Sequence, residues 1–340
     1  MTIQDAIQTI VAGNDLEQEQ ARTVMDAIMS GDTTDAQIGA YITALRMKGE
    51  TVPEIAGSAQ AMREKAVKID AEGVLVDTCG TGGDASGTFN ISTTVAFVVA
   101  ACGVTVAKHG NRSISSKSGS ADVLKALGVN IDADKETVEG CLKRASMGFM
   151  FAPKHHGAMK YAMGPRQQLA MRTVFNLLGP LTNPAGAPYQ LLGVFDGAWT
   201  EPLAKVLGVL GSKRALVVHG EDGLDEITLT APTRVSELAA DGTVKSYTIE
   251  PEQFGMTRCS AADLAGADAS KNAEITRAVL EGEKGAKRQI VVLNAGAALF
   301  VTGMADSIQT GVEMAEDALD SGRAKQRLEM LVHCSNTAPE

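Results

Sequence analysis

Two polar, glycine-rich segments carry the residues best suited to chemistry, and each follows a short apolar run. The first begins at Asp77 with the letters DTCGTGGD and continues through Thr88 to NIST at residues 90–93. Backbone N–H groups around glycines and at a helix start supply partial positive charge to an anion. A tight turn explains the glycines equally well, but helix capping accounts for one small polar residue rather than four. The segment therefore predicts a phosphate-binding loop, although its spacing is neither a Rossmann nor a Walker A fingerprint.

The second segment begins at Lys108, directly after the next apolar run, and reads KHGNRSISSKSGS to Ser120. A solvated surface loop is the alternative interpretation of its basic residues, serines and glycines. Ligands of open α/β sheets, however, bind at the carboxyl ends of the strands, where both segments would lie. We therefore predict that the two loops hold a polyphosphate between them. His109 fits either a general base or a structural residue, and the structural role is favoured.

A third segment concentrates carboxylates, because Glu221, Asp222, Asp225 and Glu226 lie in a glycine-bearing loop after another apolar run. Mg²⁺ prefers one or two carboxylates together with water and substrate phosphate, and the spacing is not that of an EF-hand. An ordinary acidic turn explains this segment equally well when it is considered alone. Beside two phosphate loops, a magnesium site becomes the better interpretation, since the ion would neutralise a departing diphosphate.

Other reactive side chains have simpler explanations that compete with a functional role. Arg166 and Arg172 are either surface charges or partners for a carboxylate-bearing ligand, which the guanidinium fork matches. His155 and His156 have no partners at zinc-ligand spacing, so a zinc site is not predicted. Cys79 lies in the first segment, but nothing in the sequence indicates the lowered pKa of a nucleophile.

The elements that position these segments fall into two parts. Residues 1 to about 68 carry apolar side chains at helical spacing, with capping-box patterns at Thr34 and Thr51. From residue 74 onward, short apolar runs alternate with polar loops and helical stretches, which indicates a mainly parallel α/β architecture. Strands are predicted at 74–76, 104–107, 149–151, 191–195 and 215–219, with antiparallel strands within 228–250, two helices within 155–178 and a buried helix at 290–300.

The composition bounds the class of protein. The 340 residues favour two domains, and the net charge of −10 argues against a nucleic-acid or acidic-membrane surface. Five widely separated cysteines cannot all pair within one chain, so reduced thiols and a cytoplasmic location are expected. The first residues lack the layout of a signal peptide, and the most apolar stretches are too short to span a bilayer.

Together these motifs resemble the anthranilate phosphoribosyltransferases along nearly the whole chain. The chain departs from the usual family pattern at Gly157 and Ala170, which lie in the region that would line the acceptor pocket. The matching motifs are GTGGD at 80–84, NIST at 90–93, KHGNR at 108–112, SGSADVL at 118–124, RTVFNLLGPLTNP at 172–184 and DGLDE at 222–226, with DAQIGA at 35–40 and KGET at 48–51 in the helical part.

The resemblance implies the nucleoside phosphorylase/phosphoribosyltransferase fold. A helical domain would span 1–70 and be completed by about 165–185, and an α/β catalytic domain would span 71–164 and 186–340. The implied reaction transfers the phosphoribosyl group of phosphoribosyl pyrophosphate (PRPP) to anthranilate in tryptophan synthesis, in a homodimer. Anthranilate would contact Gly80, Asn111 and Arg166, and Mg²⁺ would be held by Ser92, Asp225 and Glu226. PRPP would contact Gly80, Gly83, Asp84, Thr88, Asn90, Ile91, Ser92, Thr93, Lys108, His109, Gly110, Asn111, Arg112, Ser113, Ile114, Ser115, Ser116 and Ser120.

The implied chemistry is a displacement at the anomeric carbon that relies on positioning and electrostatics, with no residue assigned as acid or base. Two rival functions stay open. A pyrimidine nucleoside phosphorylase of the same fold would need one phosphate site and no diphosphate–magnesium site. A non-catalytic relative that binds nucleic acid would need a basic surface, which the net charge of −10 opposes.

Overall fold

The structure is a computed structural model and describes residues 1–84, 86–112 and 117–337. In this part of the chain, a seven-stranded sheet forms the centre of the molecule. Its strands are β1 (Leu75–Gly80), β2 (Thr105–Gly110), β3 (Met147–Phe151), β4 (Tyr189–Gly193), β5 (Arg214–Gly220), β6 (Thr233–Leu238) and β7 (Val244–Ile249). The helices are α1 (Ile3–Val11), α2 (Gln18–Ser30), α3 (Asp35–Lys48), α4 (Val52–Lys65), α5 (Ile91–Ala101), α6 (Ser120–Leu127), α7 (Lys135–Ala145), α8 (Ala152–His155), α9 (Lys160–Leu169), α10 (Phe175–Leu178), α11 (Thr200–Val209), α12 (Ala269–Leu280), α13 (Ala286–Thr302), α14 (Ile308–Asp320) and α15 (Arg323–Asn336).

The sheet is parallel over most of its width. Its order is β3-β2-β1-β4-β5-β6-β7, in which β1 to β5 run parallel and β6 and β7 are antiparallel to their neighbours. Along β4 and β5, side chains alternate between two apolar clusters, so Leu191 and Leu216 join one cluster while Leu192 and Val217 join the other. Both faces are therefore covered, as expected for parallel strands. The predicted mainly parallel sheet and the antiparallel strands within 228–250 are confirmed.

The chain order changes direction across the sheet at β1. β2 and β3 lie on one side of β1, whereas β4 and the later strands lie on the other. In open α/β sheets, ligands bind at such a switch point, beyond the carboxyl ends of the strands. The segments after β1, β2 and β5, which carry the candidate chemistry, all leave the sheet at this edge.

Within the described residues, β1 and β2 pair only at their amino ends. The register between them stops at Val76 with Val106. In contrast, β1 stays paired with β4 as far as Gly80, and β2 stays paired with β3 as far as Gly110. A gap therefore opens between β1 and β2 toward their carboxyl ends, where the candidate residues lie. Both strands also run further than predicted, because pairing on their outer sides continues into the polar segments.

The N-terminal helices are fixed by caps and by a shared apolar cluster. The backbone N–H of Thr34 donates to the Gln37 side chain at 2.9 Å, and both the N–H and the hydroxyl of Thr51 donate to Glu54. The apolar cluster of α1 to α4 also includes side chains of α9 and α10, the two helices predicted within 155–178. None of the helices formed by the described residues is both long enough and apolar enough to cross a lipid bilayer.

Two backbone positions in the helical region are unusual. Gly57 of α4 lies so close to α2 that a Cβ there would be 2.0 Å from the carbonyl oxygen of Gln18. Ala170 ends α9 in the left-handed region, with φ of 47°. Alanine adopts this conformation less readily than glycine, so the turn between α9 and α10 is held by its surroundings.

Candidate active site

The acidic segment after β5 lies against the first phosphate loop, which follows β1. The backbone N–H of Gly82 donates to Oδ2 of Asp225 at 2.8 Å, and that of Ser92 donates to Oε1 of Glu226 at 3.1 Å. These contacts join residues 143 and 134 positions apart in the sequence. The predicted phosphate loop and the predicted metal-binding carboxylates therefore form one site at the switch point of the sheet.

Two glycines make room for Asp225 at the ends of β1 and β4. A Cβ at Gly80 would lie 2.3 Å from Oδ2 of Asp225, and a Cβ at Gly193 would lie 1.5 Å from its carbonyl oxygen. Real Cβ atoms do not approach oxygen so closely, so any larger residue would displace Asp225. The side chain and the backbone of Asp225 are thus both placed by close contact with the two strands.

The surroundings of Asp225 and Glu226 disfavour the ionised forms of their carboxyl groups. Desolvation, followed by the nearby carboxylates of Asp84 and Glu226, raises the pKa of Asp225 well above its usual range. Desolvation also raises the pKa of Glu226 to about 8, although the Lys108 ammonium and the N–H of Ser92 oppose the shift. A bound cation would stabilise the charged forms of both groups, so the electrostatics favour a cation at this place.

The donor set fits a magnesium ion. Asp225 and Glu226 offer carboxylate oxygens. Ser92, whose backbone N–H donates to Glu226, offers a hydroxyl. Among the residues the structure describes, no three His, Cys, Asp or Glu side chains are grouped so that they could hold a metal by themselves. Such a site suits Mg²⁺, because this ion takes one or two carboxylates and completes its octahedron with water and substrate phosphate.

The other two acidic residues of the segment have different surroundings. Oδ1 of Asp222 accepts the backbone N–H of Leu224 at 3.2 Å, and Oδ2 accepts the hydroxyl of Thr228 at 2.7 Å. Asp222 therefore organises the turn that leads into Asp225. Glu221 is exposed, so its carboxylate belongs to the surface.

Lys108, a predicted PRPP contact, lies beneath the site rather than in it. Its side chain is 1% exposed, and Nζ donates to the carbonyl of Thr78 at 2.5 Å and to Oγ of Ser92 at 3.4 Å. Burial lowers the pKa of Lys108, and the carboxylates of Asp77 and Glu226 partly offset this effect. The ammonium group thus links β2 to β1 and to the start of α5, and it balances the charge of the acidic residues.

His109 is buried in a group of histidines. Its ring lies 5.0 Å from that of His156, and its Nε2 has no hydrogen-bond partner within the described part of the chain. Burial, followed by the neighbouring His156 and His155, holds the pKa of His109 well below its usual range. A neutral, enclosed imidazole favours the structural interpretation of His109 over a general base near pH 7.

The second phosphate loop continues from Gly110 toward α6. A Cβ at Gly110 would lie 2.2 Å from Oγ of Ser120, so glycine allows the start of α6 to come close to β2. Oγ of Ser120 donates to the carbonyl of Asn111 at 3.3 Å. Arg112 is exposed, and its Nη1 lies 3.8 Å from Oδ1 of Asp122. The predicted PRPP contacts Ser113, Ile114, Ser115 and Ser116 lie outside the described residues.

Asn90 ties the two phosphate loops to each other. Its Nδ2 donates to the carbonyl of Ser118 at 3.2 Å, and its Oδ1 accepts Nδ2 of Asn272 at 3.0 Å. The next predicted contacts, Ile91 and Thr93, have buried side chains, so a ligand at the start of α5 would meet their backbone. The N–H of Ile91 already donates to the carbonyl of Phe89 at 2.8 Å, which leaves that of Thr93 as the better donor. Asn272 lies on α12, far away in the chain, and nothing in the sequence pointed to it.

Thr88, Asp84 and Gly83 lie on the first loop, as predicted. Oγ1 of Thr88 is 3.3 Å from Oγ of Ser86, whose backbone N–H donates to Asp84 at 3.4 Å. The carbonyl of Gly83 accepts a hydrogen bond from the guanidinium of Arg172, which stacks 4.1 Å from the ring of Phe195. The loop is therefore held from outside by the segment that follows α9.

Arg166, the predicted partner of the anthranilate carboxylate, is half-buried on α9. Its guanidinium lies 5.1 Å from the ring of Phe175 and makes no hydrogen bond or ion pair with any residue the structure describes. Burial lowers its pKa. A partly desolvated guanidinium with free donors suits a carboxylate ligand.

Asp77 and Asn183 lie in motifs identified from the sequence, but the sequence analysis assigned neither residue a role. Asp77 is 1% exposed, and its two oxygens accept the backbone N–H of His109 and Nδ2 of Asn183. Burial raises the pKa of Asp77 to about 6, and Lys108 and Asn183 moderate the shift. Burial, followed by the charge of Asp77, also raises the pKa of the Cys79 thiol, which opposes a nucleophilic role.

Comparison with known proteins agrees with the two-part architecture. Residues 4–66 match the helical bundle domain of the glycosyl transferase family, and residues 72–325 match the α/β domain of that family. An anthranilate phosphoribosyltransferase from Thioalkalivibrio sulfidiphilus is 55% identical over 333 residues, covering 98% of each chain.

Solved structures give the same result. Anthranilate phosphoribosyltransferase from Thermus thermophilus superimposes with a TM-score of 0.93 at 43% identity, covering 98% of this chain and 100% of its own. The enzyme from Saccharomyces cerevisiae, solved in complex with PRPP and Mg, has a TM-score of 0.90 at 25% identity, covering 99% of this chain and 98% of its own. On its sequence and its fold, the chain belongs to the anthranilate phosphoribosyltransferase family.

Proposed function

We propose that the chain transfers the 5-phosphoribosyl group of PRPP to the amino group of anthranilate, giving N-(5-phosphoribosyl)anthranilate and diphosphate in tryptophan biosynthesis. The observation that carries the proposal is the contact of the first phosphate loop with Asp225 and Glu226. A loop for phosphate beside a pair of carboxylates is what a diphosphate with its metal requires. The yeast relative, solved with PRPP and Mg, supports the same substrate and ion here.

The family resemblance suggests which residues would hold each ligand. Anthranilate would contact Gly80, Asn111 and Arg166, and Ser92, Asp225 and Glu226 would hold Mg²⁺. When bound, the ion would supply positive charge against the diphosphate as it leaves the ribose. PRPP would lie between the two loops and contact Gly80, Gly83, Asp84, Thr88, Asn90 to Thr93, His109 to Ser116 and Ser120. The buried ammonium of Lys108 would act on it indirectly, through Thr78 and Ser92.

The residues of the chain contribute mainly by positioning and electrostatics. The start of α5 presents the positive end of its dipole to the first loop, which stabilises negative charge there. The acceptor is an aromatic amine and a weak nucleophile, so the reaction depends on making the anomeric carbon electrophilic. The amine becomes more acidic as it attacks, so no dedicated base is needed, in agreement with the lowered pKa of His109. Arg166 would orient the carboxylate of the acceptor.

We also propose that the protein acts in the cytoplasm as a homodimer and keeps the domain limits predicted from the sequence. The packing of α9 and α10 into the apolar cluster of α1 to α4 supports assigning residues 165–185 to the helical domain. Closure of the helical domain on the α/β domain would exclude water, which otherwise hydrolyses PRPP.

Anthranilate fluorescence tests the proposal directly. Incubation of the protein with anthranilate and PRPP should cause a loss of fluorescence that requires both PRPP and Mg²⁺. A loss without PRPP, or no loss with folded protein, would contradict the proposed reaction. The same protein should not cleave uridine or thymidine with inorganic phosphate, and cleavage would instead establish the nucleoside phosphorylase alternative.

A further inference from the structure

The gap between β1 and β2 lies directly beneath the two phosphate loops. Backbone pairing between these strands ends at Val76 and Val106, before β1 ends at Gly80 and β2 ends at Gly110. Strands that separate leave buried backbone N–H and C=O groups that must find other partners. Whatever fills the gap therefore also fixes the distance between the two loops.

Polar side chains supply these partners. Oδ1 of Asp77, on β1, accepts the backbone N–H of His109, on β2, at 3.3 Å. Nδ2 of Asn183 donates to Oδ2 of Asp77 at 2.7 Å and to the backbone carbonyl of Ala107 at 2.8 Å. Together with the ammonium of Lys108, these bonds replace the missing backbone pairing between the strands.

The hydrogen-bond partners of Asp77 and Asn183 determine whether each side chain must donate or accept. The Oδ1 atom of Asn183 accepts the backbone N–H of Ala185 at 2.9 Å, so its amino group must face Asp77 and Ala107. Oδ1 of Asp77 accepts the backbone N–H of His109, and Oδ2 accepts Nδ2 of Asn183. Asp77 and Asn183 are 1% and 6% exposed, so solvent does not compensate for a lost bond.

Asn183 reaches the gap from a segment that is tied to the connection between the two parts of the molecule. The carbonyl of Pro184 accepts the backbone N–H of Ile69 at 3.2 Å, and the carbonyl of Leu181 accepts Nε of Arg63 at 2.6 Å. Ile69 lies between α4 and β1, where the chain passes from the helical part to the sheet. The segment that carries Asn183 therefore contacts the crossing chain and the gap at once.

We propose that Asp77 and Asn183 form a positioning pair that sets the spacing of the two phosphate loops and thereby the geometry in which PRPP binds. The pair acts through the backbone of Ala107 and His109 and does not touch the substrate. This inference rests on the proposed function, because PRPP is the ligand whose phosphates the two loops would hold.

A reciprocal exchange of the two side chains tests the pair. In Asp77→Asn, a single oxygen must serve two donors, and in Asn183→Asp two carboxylates face each other. The double variant Asp77→Asn/Asn183→Asp restores one donor–acceptor pair and loses the bond to Ala107. Each single variant should lower kcat/KM for PRPP by about 10- to 100-fold, and the loss in the double variant should be smaller than the product of the two.

Glu54→Gln is the matched control, because it makes the same change at a buried carboxylate of the helical part. Glu54 accepts the backbone N–H groups of Leu16 and Thr51, so its variant should lose stability and keep the wild-type KM for PRPP. The proposal is wrong if the single variants keep wild-type kcat/KM, if the losses in the double variant multiply, or if Glu54→Gln raises the KM for PRPP equally.

A second measurement separates this inference from the proposed reaction. The rise in melting temperature with PRPP and Mg²⁺, measured without anthranilate, reports ligand binding alone. If the wild-type protein binds PRPP but does not consume anthranilate, anthranilate is not the acceptor. The role of Asp77 and Asn183 is then tested by the rise in melting temperature alone. A wild-type protein that neither binds nor reacts refutes both. If Asp77→Asn does not fold, Asn183→Ser takes its place, since a hydroxyl donates only one bond, and an unchanged shift in Asn183→Ser would overturn the pair.

Discussion

Asp225 and Glu226 are adjacent residues that the protein holds in different ways. Asp225 fits between the two glycines that end β1 and β4, whereas Glu226 is buried and accepts the N–H at the start of α5. Both carboxyl groups are destabilised in their charged forms by desolvation. Their role is therefore best tested by changes that keep their shape and remove their charge.

Asp225→Asn combined with Glu226→Gln should abolish the response to magnesium. Amide oxygens are weaker ligands than carboxylates for Mg²⁺, so activity should fall by about 100-fold or more at wild-type Mg²⁺ concentrations. The measurement is initial rate against Mg²⁺ concentration. Glu221→Gln changes an exposed acid of the same segment and should give the wild-type curve. A double variant with an unchanged Mg²⁺ curve would rule out this pair as the metal site.

Arg166→Ala should raise the KM for anthranilate by about 10- to 100-fold, because it removes a charge-assisted pair with the carboxylate. The KM for PRPP should change little. Arg172→Ala is the matched comparison, and it should act mainly on PRPP, since Arg172 contacts Gly83 of the first loop. Steady-state kinetics with each substrate varied in turn separate the effect on anthranilate from the effect on PRPP. Equal effects of both variants on anthranilate would exclude the specific role of Arg166.

At the scale of single residues, the sequence indicated which segments meet better than it indicated where each side chain points. Residues of the three segments, such as Gly82 and Asp225, do meet at one edge of the sheet. Lys108 was expected beside the ligand, but its position at the end of a buried strand directs its ammonium inward. Asn272 is a polar residue in ordinary local sequence, and Asn183 lies in a matching motif without an assigned role. Only tertiary proximity shows what their side chains contact.

At the scale of elements, the long buried helices and strands were predictable because their apolar patterns are continuous. The predicted boundaries of β1 and β2 were wrong, since the apolar runs stop near Val76 and Ala107 while the strands continue to Gly80 and Gly110. Polar residues at these ends are buried and paired by neighbouring strands, which a single sequence does not reveal. The same strand ends carry the functional site.

The packing of α2 on α4 gives a prediction about helix contacts. Gly57→Ala should destabilise the protein by about 3 kcal/mol, because its Cβ would overlap the backbone of α2 at Gln18. Gly39→Ala makes the same change within α3, where a Cβ meets nothing within 4 Å, and should stabilise by about 0.5–1 kcal/mol. Urea denaturation measures both free energies of unfolding. Changes of the same sign in both variants would contradict this account of the helix packing.

At the scale of the whole molecule, a group of buried histidines of the α/β part contacts the segment that follows α10. His109 on β2 faces His156, which follows α8, and the backbone of Thr182 interacts with the His156 ring. Burial, followed by the charge of His155, lowers the pKa of His156 to about 4. These rings are neutral in the folded state near pH 7. Protonating them in acid would therefore destabilise the folded state.

His156→Gln should make the free energy of unfolding less sensitive to acid. Between pH 6.5 and 4, His156 binds a proton in the unfolded chain but not in the folded one, so its contribution to stability is lost as the pH falls through this window. The contribution is about 3 kcal/mol. Urea denaturation at pH values of about 7 and about 4.5 compares the variant with wild type. His333→Gln, at an exposed position, is the control, and an identical pH dependence in all three proteins would exclude this role of His156.

The shared apolar cluster of α1 to α4 with α9 and α10 has a consequence for synthesis on the ribosome. The chain has ended α4 at Lys65 long before it reaches Ala162, the first residue of α9 in that cluster. At about 5–20 residues per second, the intervening hundred or so residues take roughly 5–20 s to be made. During that interval, the nascent helices expose the apolar surface that α9 and α10 later cover. We therefore expect this surface to be recognised by chaperones that bind emerging polypeptides.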